Sequence, residues 1–350
     1  MLEKLVLLSS FGSQVEVYPF GATITSFKSP LGQEMLFLSS KAVLTGEKPI
    51  RGGIPIAFPQ FAAQGSLPMH GFARTSLWTL EKSGLGFAEL SLSDSEKTRS
   101  LWDHSFRLVL RISFNDVELT TSLQVFNLDT LDKEKKEKEE GNIIPFQFEA
   151  LLHTYLNTGL DSVGSGIDTK GTVRVHGLEG STYIDKPAGG ERKVEIDEEI
   201  SLVGEVDRIY VQPNTRHVLV SGITLSSLQE SIRMNPIGEQ EFTLSDLNAS
   251  TTSKVYKKVN IQINASTTSS SSSSSTTSSD TQEMQKTVHK NEQADIVVWN
   301  AGPVKCASIA DFGLEDWKSY VCVEPGVVSR KVQLEIGEVF ILEQRIKFVE

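Results

Sequence analysis

Glu324 is the acid in this sequence whose neighbours best suit it to chemistry. It directly follows a short apolar run, Tyr320–Val323, and is followed at once by Pro325 and Gly326. An apolar run bounded by Pro and Gly predicts a buried β-strand that ends at this acid. Apolar neighbours would raise the pKa of the carboxyl above its usual value of about 4.3 and make it a better base. The alternative is an ordinary acid that faces water at the end of a strand.

A histidine with a similar setting lies far upstream. His153 interrupts the otherwise apolar segment LLHTYL, which predicts a strand. An imidazole near neutral pKa is the commonest general acid in enzymes. The alternative is a core histidine that is satisfied by a backbone carbonyl.

Two arginines lie beside glycines in the proline-rich stretch 46–76, as Arg51-Gly52-Gly53 and as the end of HGFAR, which is Arg74. Glycines allow a backbone to approach a ligand closely, and guanidinium groups bind phosphate oxygens in a bidentate manner. The chain has a net charge of -11, so an anionic substrate needs local cations. The pattern therefore suggests an anion clamp, whereas the alternative is that both arginines form surface ion pairs.

Several familiar site motifs are absent from the sequence. It contains no GxGxxG, GxxxxGK[ST], GxSxG or HExxH, so no motif supports a dinucleotide, P-loop, serine-hydrolase or zinc-protease site. The six histidines are scattered without ligand-like spacing. We therefore expect no metal and no cofactor.

The elements that position these residues are predicted to be strands. Residues 3–40 and 77–126 alternate apolar and polar side chains between turn signals, and no period of 3.6 extends over ten residues. The prolines of 46–76 do not suit a sheet interior, so this stretch is predicted to be a long ordered loop. The pattern indicates an all-β fold of antiparallel strands in two stacked sheets.

We predict one domain that spans residues 1–350 and carries two insertions. The first is a charged, solvated loop at 131–141. The second is a Ser/Thr-rich segment at about 249–290, whose composition predicts disorder because it offers little apolar surface to bury.

Charge and cysteine content limit the partners and the compartment. The acidic balance argues against nucleic acid or an anionic membrane as the main partner, and no apolar stretch approaches the length of a membrane span. Cys306 and Cys322 both lie in apolar sequence and are predicted to be buried free thiols. We expect a monomeric cytoplasmic protein that binds a small molecule.

Seven segments in order resemble the aldose 1-epimerase superfamily, and more narrowly its glucose-6-phosphate 1-epimerase (hexose-6-phosphate mutarotase) branch. They are RGGIPIAFPQF, HGFAR, LLHTYL, VHGLEGSTYIDK, EVDRIY, VVWN and DFGLEDWKSYVCVEPGVV. The resemblance spans nearly the whole chain. It implies a large antiparallel β-sandwich of the galactose mutarotase-like kind and an isomerase that interconverts the anomers of a sugar phosphate.

The resemblance also implies roles for individual residues. His153 resembles the family's general acid and Glu324 its general base. Asp207, in EVDRIY, resembles a residue that binds a sugar hydroxyl. Mutarotation needs one proton removed from the anomeric hydroxyl and one delivered to the ring oxygen, which an imidazole and a carboxylate can supply without a cofactor.

The remaining implied roles concern the proline-rich loop. Arg51 and Arg74 resemble contacts to the sugar phosphate, and His70 is expected to line the pocket. Met69 stands where many relatives carry Gln, so a polar contact to the substrate is absent there and the preferred hexose stays open.

Three other functions remain as alternatives. The first is a mutarotase for unphosphorylated aldoses, and the second is a sugar-binding β-sandwich without catalysis. The third is a glycoside hydrolase that uses Glu324 and Asp207 as a carboxylate pair, which would leave His153 without a role.

Overall fold

A computed structural model describes residues 3–130, 145–159, 173–223, 225, 258–271 and 286–349. Most of these residues lie in β-strands or in the turns between them. The strands are β1 (Leu5–Leu8), β2 (Gln14–Tyr18), β3 (Thr23–Lys28), β4 (Ile56–Ala57), β5 (Thr79–Gly84), β6 (Phe87–Ser93), β7 (Phe106–Phe114), β8 (Glu118–Asn127), β9 (Gln147–Leu152), β10 (Tyr155–Asn157), β11 (Arg174–His176), β12 (Thr182–Asp185), β13 (Glu191–Val194), β14 (Glu199–Ser201), β15 (Val206–Tyr210), β16 (His217–Ser221), β17 (Lys258–Ser271), β18 (Lys286–Glu292), β19 (Asp295–Asn300), β20 (Tyr320–Gln333) and β21 (Val339–Val349).

The helices of the described residues are short, as the sequence predicts. They are α1 (Glu96–Leu101) and α2 (Gly302–Ser308), with 3₁₀ turns at Ala73–Thr75 and Asp316–Ser319. The described residues contain no helix that is long and apolar enough to cross a membrane. The proline-rich stretch 46–76 is irregular apart from β4 and one 3₁₀ turn, and its prediction as an ordered loop is confirmed.

The described strands form three antiparallel sheets. The first contains β1, β2 and β3. The second runs in the order β13-β12-β15-β19-β20-β9-β4, with β10 also paired to β20. The third runs in the order β14-β11-β16-β17-β21-β8-β7-β6-β5, with β18 also paired to β17.

The two larger sheets face each other across the core. The rings of Phe148 on β9 and Phe340 on β21 are 5.4 Å apart. The Thr154 hydroxyl, at the end of β9, donates a buried hydrogen bond of 2.9 Å to the side-chain oxygen of Gln344 on β21. The buried apolar side chains of all three sheets form one cluster. The predicted all-β fold of stacked antiparallel sheets is confirmed.

The strand that carries Glu324 is longer than the sequence predicts. It does not end at Pro325 and Gly326, because β20 continues to Gln333. Pro325 lacks an N–H, but the register places it opposite Leu152, the last residue of β9, next to the short break between β9 and β10 where regular pairing on that side is interrupted. Glu324 is therefore in the interior of a strand rather than at its mouth.

Strand β17 corrects the prediction of disorder for about 249–290. Residues 258–271 pair with β16 on one side and β21 on the other. Val259, Ile261 and Ile263 are buried at alternate positions, and this period-two pattern outweighs the polar composition around it. Residues 286–290 also lie in a strand, β18. The rest of this segment, and the whole charged insertion at 131–141, lie outside the described residues.

Candidate active site

The register of three strands brings His153 and Glu324 together. Tyr155 on β10 pairs with Cys322 on β20, and Leu151 on β9 pairs with Gly326. Counting inward from both pairs places His153 directly opposite Glu324. Residues that face each other in an antiparallel pair project to the same side of the sheet, so the two side chains are cross-strand neighbours although 170 residues separate them in the chain.

The same reasoning extends the site to β19 and β15. Glu324 pairs with Val297 and Cys322 with Trp299, and Trp299 pairs in turn with Asp207 on β15. Alternate residues of a strand share a face. The second sheet therefore presents two adjacent rows of side chains, one containing His153 and Glu324 and the other containing Asp207 and Trp299.

His153 and Glu324 are in contact and buried. His153 Nδ1 lies 3.2 Å from Glu324 Oε1, and the two residues are 8% and 1% exposed. Nδ1 nevertheless has no partner that meets hydrogen-bond geometry. The His153 ring stacks on Tyr155 at 4.7 Å and meets the Trp299 ring edge-on at 5.6 Å. Glu324 therefore does not face water, and His153 is aimed at a titratable partner.

Burial opposes charge on both members of the pair. It raises the pKa of Glu324 well above its usual value, as does the neighbouring carboxylate of Asp207, while Lys186 and the Cys322 side chain act in the opposite direction. Burial also lowers the pKa of His153 well below its usual value, as do His70 and two nearby arginines. A neutral imidazole beside a protonated carboxyl is therefore favoured, and the pair holds one proton.

Both side chains open into a cavity of about 370 Å³, within the range of small-molecule sites of about 300–1,000 Å³. The cavity is lined by Arg51, Phe61, Ala62, Met69, His70, His153, Lys186, Asp207, Val297, Trp299, Lys305, Ser308, Ile309 and Glu324. Six of the seven site residues predicted from the sequence are in this lining, and the seventh, Arg74, is not. A larger groove of about 570 Å³ at residues 177–182 and 211–215 has Glu179 as the sole titratable side chain in its lining.

The arginine side of the site consists of Arg51 and Arg74. Arg51 Nε donates to Asp311 Oδ1 at 3.2 Å, and its Nη1 donates to the Tyr155 hydroxyl at 3.2 Å. Its guanidinium also lies 5.0 Å from the centre of the Phe312 ring. These contacts fix the orientation of Arg51 at the cavity wall.

Arg74 differs from Arg51 in having no acidic partner. Its Nη2 donates to the backbone oxygen of Met69 at 2.6 Å, and its buried Nε has no hydrogen-bond partner. Among the described residues no carboxylate lies within ion-pair distance of it. Burial and the positive charge of Arg51 lower the pKa of Arg74 to about 10. The arginine side therefore carries two cations and one anion, Asp311.

The lysine side consists of Lys186 and Lys305. Lys186 Nζ lies 3.7 Å from one oxygen of Asp207, and Lys305 Nζ lies 3.5 Å from the other. Lys305 also forms a 2.8 Å ion pair with Glu205. Lys186 lies 4.8 Å from the centre of the Phe61 ring. Two cations face two carboxylates here, so this side is balanced in charge.

The loop that carries HGFAR supplies His70 and Met69. His70 Nδ1 accepts a hydrogen bond from the backbone of Ala62 at 3.3 Å, and its ring lies 5.6 Å from that of His153. Burial and the nearby cations, first among them Arg74, lower the pKa of His70 to about 3. Met69 is 58% exposed at the cavity rim.

The glycines of this loop serve backbone packing. A Cβ on Gly53 would lie 2.0 Å from the carbonyl oxygen of Ile24, and one on Gly71 would lie 2.1 Å from that of Phe58. Both glycines also have positive φ angles, which other residues rarely adopt. They allow the loop to cross the sheets closely and thereby hold Arg51 and His70 in place.

Sequence reasoning missed several cavity residues, above all the two lysines. Lys186 belongs to the TYIDK segment and Trp299 to VVWN, but neither segment has a local pattern that marks a site. Cys322 is not in the cavity lining, but its position two residues before Glu324 places it on the same face of β20. Cys306 and Cys322 are buried and free, as predicted.

A metal site was not expected from the sequence, yet His153, Cys322 and Glu324 place ligating atoms within 4.8 Å of one another. The ligands of a tetrahedral zinc lie about 3.3–3.7 Å apart, so this spacing is loose for a metal. Burial and the adjacent Glu324 raise the pKa of the Cys322 thiol well above its usual value, which keeps it a thiol rather than a thiolate. We interpret the group as an acid–base cluster.

The model of the family "Aldose 1-epimerase" matches residues 4–235. The chain belongs to the aldose 1-epimerase family. This is a family of isomerases that act on sugars.

Curated relatives in this epimerase family cover most of the chain. A Cenchrus ciliaris protein, provisionally named glucose-6-phosphate 1-epimerase, is 28% identical over 96% of this chain and 82% of its own length. An Escherichia coli protein with the same provisional name is 30% identical over 88% of this chain and 78% of its own.

Solved structures of epimerase-like proteins have the same fold. The Salmonella typhimurium protein YeaD, provisionally described as a mutarotase, has a TM-score of 0.68 at 22% identity, covering 100% of this chain and 91% of its own. A Lactobacillus acidophilus enzyme described as related to galactose mutarotase has a TM-score of 0.61 at 15% identity, covering 99% and 98%. The predicted mutarotase-like architecture is confirmed.

Proposed function

We propose that this protein interconverts the α and β anomers of a hexose 6-phosphate. The observation that carries the proposal is the 3.2 Å contact between His153 and Glu324 in a cavity that Arg51 lines, with Arg74, from the same proline-rich loop, outside the lining and without an acidic partner. The His153–Glu324 pair supplies the proton transfers, and the arginine side attracts an anionic substituent of the sugar.

Ring opening requires two proton transfers at atoms bonded to the same carbon. Glu324 takes the proton from the anomeric hydroxyl while His153 gives a proton to the ring oxygen, and the bond between the anomeric carbon and the ring oxygen breaks. Because both oxygens are bonded to the anomeric carbon, an acid and a base that are cross-strand neighbours can reach them together. Each transfer contributes about 10²–10⁴-fold to the rate.

Proton accounting agrees with the buried pair. The reaction begins with an ionised Glu324 and a protonated His153, and ring opening leaves a protonated Glu324 and a neutral His153. Both states contain one proton, and the second is the one that burial favours. Rotation about the bond between the first two carbons and reversal of the transfers then give the other anomer.

The phosphate of the substrate is assigned to the arginine side. Guanidinium groups bind phosphate oxygens through charge-assisted, bidentate hydrogen bonds, and Arg74 lacks an acidic partner of its own. Binding energy from this remote group can hold the sugar ring against His153 and Glu324. The provisional names of the two curated relatives support the same substrate class.

Anomer exchange measured by NMR tests the proposal directly. The protein should accelerate the exchange of glucose 6-phosphate well beyond the spontaneous rate. Glu324→Gln and His153→Ala should each lower this rate by about 10²–10⁴-fold, because each removes one proton transfer. Glucose, galactose 6-phosphate and mannose 6-phosphate, run in parallel, define the substrate.

Matched variants control for the loss of a buried polar group. Glu195 and His104 are 3% and 0% exposed and lie outside the cavity, so Glu195→Gln and His104→Asn should retain activity in the fraction that folds. Exchange in Glu324→Gln at the wild-type rate would contradict the assigned chemistry. Binding of the sugar phosphate without any acceleration by the wild-type protein would favour the non-catalytic reading.

A further inference from the structure

Two guanidinium groups and a histidine lie on one side of His153, the proposed general acid. The His70 ring lies 5.6 Å from the His153 ring, and Arg51 donates to the hydroxyl of Tyr155, whose ring stacks on His153 at 4.7 Å. Arg74 comes from the same loop as His70. Burial disfavours a proton on His153, and the two guanidinium groups add to this effect, although the proposed reaction requires a proton there.

The other groups that face His153 do not cancel this effect. Glu324 is its only carboxylate neighbour within ion-pair distance in the described part of the chain, and burial disfavours the ionised form of that carboxylate. Asp207 is engaged by the lysine side. Tyr155 and Cys322 are held in their neutral forms by burial. The site therefore lacks one negative charge on the arginine side.

We propose that an anion held by Arg51 and Arg74 activates the enzyme as well as anchoring its substrate, because it neutralises these guanidinium groups and allows His153 to hold its proton. The inference rests on the proposed function and gives the substrate's phosphate a second role. A free oxyanion of the same chemistry, such as inorganic phosphate or phosphite, should supply the missing charge to a sugar that has none.

The expected size follows from simple electrostatics. An opposite charge within about 4–6 Å raises the pKa of a histidine by about 1–3 units, and the lower end of this range is expected here because the Tyr155 ring lies between Arg51 and His153. While the pKa of His153 stays below the ambient pH, each unit increases its protonated fraction about tenfold. Saturating phosphite should therefore accelerate the exchange of unphosphorylated glucose about tenfold or more at pH 7.

The first experiment measures the pKa of His153 in the absence of substrate. The imidazole of ¹⁵N-histidine-labelled protein is titrated by NMR with and without inorganic phosphate at matched ionic strength, and its signal is assigned with His153→Ala. Phosphate should raise the pKa of His153 by about one unit or more. Arg74→Ala and Arg51→Ala should abolish the shift, whereas Arg107→Ala, an exposed arginine outside the cavity, should retain it.

The second experiment measures glucose exchange as phosphite is added. Acceleration in the wild type and in Arg107→Ala, with none in Arg74→Ala, is the expected result. The inference would be overturned if saturating phosphate left the pKa of His153 unchanged. It would also be overturned if phosphate raised that pKa equally in Arg74→Ala. Failure of the proposed function is a separate outcome. In that case the wild type would not accelerate the anomer exchange of glucose 6-phosphate, while the NMR titration would still test the effect of the anion on His153.

Discussion

The two charged sides of the cavity use their cations differently. On the lysine side, each oxygen of Asp207 has its own ammonium group, and Glu205 balances the second charge. On the arginine side, Arg51 has Asp311, but Arg74 has a backbone carbonyl in place of an acid. A cation with a carboxylate partner orients that partner, whereas a cation without one is available for a ligand. The contrast suggests that the lysine side positions groups and the arginine side binds the anion.

The largest difference between the two sides is expected from Arg74→Ala. Loss of a charge-assisted hydrogen bond costs about 1.5–3 kcal/mol, so the KM for glucose 6-phosphate should rise about 10–150-fold. The KM for glucose should change little, because glucose has no anion for Arg74 to bind. Initial rates of anomer exchange with both sugars check this, and Arg74→Lys should restore part of the loss. Equal effects on the two sugars would remove the distinction between the sides.

A smaller effect, alike for both sugars, is expected from Lys186→Met. Lys186 favours the ionised form of Glu324, so its loss should raise the pKa of the base and move the acidic limb of the kcat/KM profile upward by about one pH unit. Lys186→Arg should return the acidic limb of the profile to its wild-type position. Lys305→Met is the matched control, because Lys305 also contacts Asp207 but is not among the groups that act on Glu324. If the acidic limb moves by the same amount in both variants, then Asp207 rather than Lys186 controls the pKa of Glu324.

The smallest effect concerns stability on the arginine side. His70 has a pKa of about 3, below its usual value of about 6.5, so at this residue the unfolded chain binds a proton before the folded protein does. The contribution of His70 to the free energy of unfolding should therefore fall as the pH drops below about 6.5, by at most about 1.4 kcal/mol per pH unit. His153 is left out of this count, because the raised pKa of the adjacent Glu324 acts in the opposite direction.

Thermal unfolding between pH 7 and pH 5 measures this dependence. His70→Asn should flatten the fall in Tm, because asparagine takes up no proton in either state. Saturating phosphate should reduce the fall as well, since an anion on the arginine side makes protonation of the folded state less unfavourable. A Tm profile that is unchanged in His70→Asn would show that His70 is not held neutral.

The fold and the pairing of His153 with Glu324 were predicted for reasons that differ. Alternation and turn signals are local properties, so the all-β fold could be inferred from them. The meeting of His153 and Glu324 depends on the register between β9, β10 and β20, which no local pattern encodes, and it was the family resemblance that connected them. The end of β20 was misplaced because a proline usually terminates a strand, whereas this one lies opposite the last residue of β9, next to a break in pairing.

Charge balance was the least accessible feature. Lys186 and Lys305 lie about 120 residues apart in the chain and meet only through Asp207, so their pairing follows from tertiary structure alone. Arg74 was predicted from its loop to contact substrate, but the sequence could not show that its guanidinium is turned to the carbonyl of Met69. The disorder predicted for 258–271 failed because composition was weighed above the alternation of Val259, Ile261 and Ile263.

Strand β17 connects the two halves of the largest sheet. With it removed, the facing sides of β16 and β21 would each expose a row of unpaired N–H and C=O groups, and such open edges recruit other chains. A deletion that treats residues 258–271 as a dispensable spacer should therefore yield aggregates rather than a trimmed enzyme. The serines and threonines that resemble a tether are part of the strand that pairs with β18 and β21.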